Sequence, residues 1–103
     1  DKQTYFDIRD EVTIAENLIE YHREEGNKEA LKNIRKERGS LLRLRPMIKG
    51  IESQRRKIRQ QIKFIEDSKR LTEDQKKDKI KKLLDRESLI IQRFIKRADR
   101  ILG

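Results

Sequence analysis

The sequence predicts an all-α protein, and three observations carry that expectation. Nearly half of the 103 residues are charged (46%) and a third are hydrophobic, which is close to the composition of long helices and coiled coils. The apolar residues recur at intervals of three and four, the spacing that lines one face of a helix. No segment sustains the apolar–polar alternation of a half-buried strand.

The first helix is expected over about residues 4–25. Tyr5, Ile8, Val12, Ala15 and Ile19 form one stripe, and Gly26 is placed to end the helix in the left-handed conformation. Ile14, Leu18 and Tyr21 form a second stripe on nearly the opposite side, as in a helix with neighbours on two sides. A short second helix is expected over about 28–38, with Asn27 as its N-cap, Ala30, Leu31 and Ile34 facing inward, and Gly39 closing it.

A third helix is expected over about 40–67, with Leu44, Ile48, Ile51, Ile58, Ile62 and Ile65 on one face. Proline has no N–H to donate and restricts the residue before it, so Pro46 either sits in the first turn or kinks the helix. Thr72-Glu73-Asp74-Gln75 is a capping box with acids in the first turn, opening a fourth helix over about 73–102. A five-residue connection between two long amphipathic helices forces an antiparallel hairpin. The first two helices are expected to pack along it, as a single domain spanning 1–103.

Charge is unevenly distributed within the net +9. Residues 1–37 hold ten acids and seven bases, while 38–103 hold twenty-one bases and nine acids. Between Arg38 and Lys63 there are nine Lys or Arg residues and one acid, Glu52. Arg45, Lys49, Arg56, Arg59 and Lys63 cluster on one flank of the third helix. That flank has three readings: contact with nucleic-acid phosphates, a solvated face, or a face that meets the acids of the first helix, Asp7, Asp10, Glu11, Glu16 and Glu20.

Arg55 and Glu87 fall on the apolar faces of the two long helices and meet in the antiparallel register. They are expected to form an inter-helix salt bridge that fixes register rather than a proton-handling pair. Phe64, Leu89 and Ile90 lie off the main stripes and, with Ile14, Leu18 and Tyr21, are candidates for a partner interface.

The chemistry of a catalyst is not in evidence. With no Cys and with His22 as the only histidine, neither a transition-metal site nor a Cys/His or Ser/His system can be assembled. No glycine-rich phosphate loop is present, no cofactor is implied, and no aromatic interleaving suits stacking on bases. No apolar run is long enough to cross a membrane, and the absence of Trp argues against a helix lying on one. Residues Asp1–Tyr5 do not resemble a signal peptide, and the start on Asp1 reads as a piece of something longer.

The order of parts is informative. Tyr21-His22 on an acidic helix precedes the Gly26-Asn27-Lys28-Glu29-Ala30 break and a short helix. Leu41-Leu42-Arg43-Leu44-Arg45-Pro46 then leads into a basic helix reading Ile58-Arg59-Gln60-Gln61-Ile62. An Asp67-Ser68 linker and Leu71-Thr72-Glu73-Asp74-Gln75-Lys76 open the last helix. This arrangement resembles the C-terminal helical domain of the large polyvalent proteins of tailed phages, a group that includes internal-core, or ejection, proteins. The resemblance implies a non-enzymatic structural module of a phage internal virion protein, located in the virion interior. Its implied partners are further copies and other core or portal proteins, with non-specific DNA phosphates nearby, and its implied role is in genome ejection. The alternative reading is a free-standing basic helical bundle, cytoplasmic, that binds nucleic acid without sequence specificity or acts as a coiled-coil scaffold.

Overall fold

The computed structural model of the protein describes residues 2–103; Asp1 lies outside the described residues. The chain is all-α, in the order α1 Lys2–Glu24, α2 Lys28–Glu37, α3 Gly39–Leu42, α4 Arg45–Glu66 and α5 Glu73–Leu102.

Local chemistry sets most of the boundaries. Gly26 has φ +68°, a conformation that glycine adopts without the Cβ clash that penalises other residues. The Asn27 side chain then accepts a hydrogen bond from Ala30 N at 3.0 Å and caps α2. At the other end of the molecule Thr72 Oγ1 accepts from Gln75 N at 3.2 Å, and Gln75 Oε1 accepts from Thr72 N at 3.0 Å. The capping box is therefore formed in both directions. Lys76 Nζ donates to the Glu66 carbonyl at 2.9 Å, tying the first turn of α5 to the last turn of α4.

The expected helix over 40–67 is not continuous. Gly39–Leu42 is a separate single turn, and α4 begins at Arg45 with Pro46 in its first turn. Pro46 cannot donate to the Leu42 carbonyl, so the ladder stops there. Leu44 N donates instead to Leu41 O at 3.1 Å, and Ile48 N to Leu44 O at 3.0 Å restarts the α-helical pattern. The same rearrangement moves Gly39 from the end of α2 to the start of α3, with Arg38 as the C-cap of α2.

α4 and α5 form the antiparallel hairpin. Glu66 meets Lys76 near the turn, and Arg55 meets Glu87 further along. α1 covers one side of this hairpin. It runs antiparallel to α4, with Arg9 against Glu52 and Glu16 against Arg45, and parallel to α5, with Lys2 against Glu87 and Tyr5 against Phe94. The expectation that both N-terminal helices lie along the hairpin holds for α1 only. α2 packs chiefly on α1 and α3, because the tight turn at Gly26–Asn27 folds it back onto the helix that precedes it.

Tyr5, Val12, Leu44, Ile48, Ile51, Ile91, Phe94 and Ala98 make the core where α1, α4 and α5 meet. Its centre is aromatic: Tyr5 and Phe94 pack edge to face at 5.3 Å, and Tyr5 and Phe6 at 5.4 Å. α1 starts level with Glu87, so the hairpin beyond that point continues as an arm of two helices. There the buried residues are Ile58 and Ile62, on the seam with α5. The molecule is accordingly elongated, 60 × 29 × 17 Å.

Candidate docking surface

Two features of the hairpin carry charge in an organised way, one on the side that α1 covers and one on the side left open. On the covered side, two acids are enclosed by four cations. Glu52 accepts from Arg9 Nη1 at 2.6 Å and from Arg55 Nη1 at 2.7 Å. Glu87, fully buried, accepts through Oε1 from Arg59 Nη2 at 3.1 Å and from Lys2 Nζ at 3.4 Å. Arg55 Nε lies 3.5 Å from Glu87 Oε2, an ion pair without a hydrogen bond. The Arg55 guanidinium also lies over the Phe6 ring, 4.9 Å from its centroid.

The pair read from the sequence is thus brought together, but Arg59 rather than Arg55 makes the hydrogen bond to Glu87. Three members of the network were not among the candidate residues: Lys2, Arg9 and Glu52. The usable signal was Glu52 itself, the single acid between Arg38 and Lys63 and one turn before Arg55.

Burial opposes the charge on Glu52, but hydrogen bonds from Arg9 and Arg55 outweigh it and hold the carboxyl below the usual carboxylate range. The Tyr5 hydroxyl, buried beside this network, has no hydrogen-bond partner among the described residues. Burial first, and then the negative charge of Glu52, push its phenol up to about 12. A raised phenol contributes fully below the unfolded value of 10 and is lost as pH rises through the folded one. Stability should therefore fall between about pH 10 and pH 12, by roughly 3 kcal/mol. Tyr21 is exposed, so Tyr21→Phe leaves Tyr5 as the only tyrosine without disturbing the core. Alkaline absorbance titration of that variant should show ionisation near the upper value; a midpoint near 10 would contradict the burial argument.

The cationic flank does not act as one surface. Arg45 Nε pairs with Glu16 at 3.0 Å, and Arg59 turns inward to Glu87. Lys49, Arg56 and Lys63 are exposed and form no ion pair among the described residues. Neutralisation by α1 therefore accounts for Arg45, while the network accounts for Arg59.

The open side is a groove between α4 and α5. Near the body it is floored by Met47, Gly50, Ile51, Ile90 and Phe94 and rimmed by Arg93, Lys96 and Arg97, with a volume of about 510 Å³. Near the tip it is lined by Phe64, Ile65, Leu71 and Leu83 beside Lys57, Arg70, Lys79 and Lys82, with about 860 Å³. Pro46, Gly50, Gln54, Lys57, Gln61 and Phe64 recur every three or four residues, so both stretches lie on one face of α4. Among the described residues, no acid lines either stretch.

The chain matches no family model, no curated protein and no solved structure. Of the candidate interface residues, Phe64 (81% exposed) and Ile90 belong to the groove, while Leu89 is exposed beside it. Ile14 and Tyr21 are exposed and Leu18 half-buried on α1. They point away from the hairpin, because Ile14 is about half a turn from the buried Tyr5 and Val12. The sequence grouped these residues as one interface; the structure divides them between two sides of the molecule.

Proposed function

We propose that the protein is a non-enzymatic helical docking module that seats an acidic, apolar-faced helix in the groove between α4 and α5. The supporting observation is the makeup of that groove: an apolar floor, a rim of cations on both helices, and no acid among the described residues. The floor favours a protein occupant over nucleic acid, since phosphate contact needs the cations but not Met47, Ile51 and Ile90. Helix-in-groove recognition of this kind works through apolar anchors at i, i+3/i+4 and i+7, with charge at the rim setting partner choice.

The helix order and the Leu71–Lys76 start of α5 support a narrower form of the proposal. In that form the module is an assembly part of a phage internal virion protein, held inside the particle against other core or portal subunits. The full reading frame and its neighbouring genes test that form independently.

The docking reading is tested with a fluorescein-labelled synthetic helix carrying glutamates around an i, i+3/i+4, i+7 leucine stripe. Fluorescence anisotropy should give saturable binding, weakened roughly tenfold by the double variant Arg93→Glu/Arg97→Glu, as for loss of two rim ion pairs. Binding unaffected by that variant would overturn the placement in the groove. Displacement of the helix by a single-stranded DNA oligonucleotide of equal or higher affinity would move the reading to nucleic acid.

A further inference from the structure

The outer face of α1 is unpartnered like the groove and has the opposite charge. On α1 the outward stripe places Ile14, Leu18 and Tyr21 at helical spacing, flanked by Asp7, Asp10, Glu11 and Glu25. Ile14 is 49% exposed and Tyr21 58%. Among the described residues no cation stands on that stripe: Arg9 lies on the inner side, pairing with Glu52 at 2.6 Å and reaching the flanking Asp10 at 3.6 Å, and Arg23 lies on the opposite side of the helix. This stripe has the chemistry required of the groove's occupant.

Dimensions agree as well. α1, with 23 residues, is about 34 Å long. The grooved face of α4 from Pro46 to Phe64 extends about 27 Å. A Cβ at Gly50 would meet nothing within 4 Å, so a helix can approach the floor closely in the stretch of the groove near the body.

α1 covers one side of the hairpin and the groove lies on the other, so a single chain cannot bring its two faces together. Resting on the docking reading above, we infer that the groove's occupant is α1 of a second copy. The contact is heterologous: each chain offers its α1 stripe to one neighbour and its groove to another. Such a contact propagates into a ring if the rotation closes and into a filament if it does not.

Light scattering of the chain over a range of concentrations should show growth past the dimer at low salt and dispersal at high salt, because the rim pairs are exposed to screening. Two variants divide the interface. Gly50→Glu fills the floor and reverses its charge, yet the open space around Gly50 and the helix propensity gained leave the fold intact. Ile14→Lys places a cation on the acidic stripe at an exposed position. Circular dichroism should show both folded, and each should be monomeric alone.

Mixed, they should form a one-to-one dimer and nothing larger, through the intact groove of the Ile14→Lys chain and the intact α1 of the Gly50→Glu chain. A mixture that stays monomeric, or a wild type that stops at a dimer, overturns the head-to-tail contact. A wild type that is monomeric throughout while the synthetic acidic helix still binds overturns the self-association and leaves the docking reading standing.

Discussion

Truncating Phe94 to alanine is expected to remove about 3–5 kcal/mol of stability, the largest loss available from one side chain in this molecule. Phe94 is 3% exposed and sits where α1, α4 and α5 converge, with its ring edge to face on Tyr5. The substitution loses the transfer free energy of the ring, leaves a cavity that three helices cannot easily close, and removes an aromatic pair worth about 0.5–1.5 kcal/mol. A domain of this size has only about 5–15 kcal/mol in total. At about 4–8 °C per kcal/mol, the midpoint of a thermal melt followed by circular dichroism should drop by roughly 12–40 °C. Phe64→Ala is the matched control. Its ring is 81% exposed, so it should change stability by no more than about 0.5 kcal/mol. Equal losses at the two positions would mean that the convergence of α1 on the hairpin is misplaced.

The second large effect belongs to Glu87. Glu87→Ala should cost about 2–4 kcal/mol in a urea melt, because it opens a void and strips three cations of a shared acceptor. The cost stays below that of an isolated buried pair for a structural reason. Lys2 and Arg59 are about half exposed and can turn to water, and Arg55 keeps Glu52. The double variant Arg55→Met/Glu87→Leu removes the buried charge from both helices. It should be much less destabilised than the sum of its single variants, and within about 1 kcal/mol of the wild type. Additive losses would show that each group contributes on its own rather than through its partner.

How much of this was legible in the sequence depends on the range of the interaction. Gly26, Asn27 and the Thr72/Gln75 box act within one turn of their own positions, and the sequence contains all that they need. The stripe Tyr5, Val12 and Ala15 was legible for the same reason, since its periodicity is internal to one helix. The break at Arg43–Leu44 was half legible. Pro46 announced a disturbance, but whether it begins a helix or bends one depends on where the Leu41 and Leu44 backbone groups find partners.

The grouping of Arg45, Lys49, Arg56, Arg59 and Lys63 did not survive, because membership of one helix flank says nothing about which neighbour arrives. α1 supplies Glu16 to one of them, and α5 supplies Glu87 to another. The groove was hidden for a related reason. It is the face that α1 does not cover, and no periodicity within α4 or α5 records which side a third helix selects.

The overhang of the hairpin past the start of α1 has a consequence for how the molecule opens. Around Ile51 and Ile91 any separation of helices must break a three-way junction, so backbone amides there exchange only when the whole chain unfolds. Around Ile62 and Leu83 only two helices have to part, and each carries solvent on its remaining sides. Protection from exchange should therefore be graded along the long axis, with the tip as a foldon of lower free energy than the body it extends from.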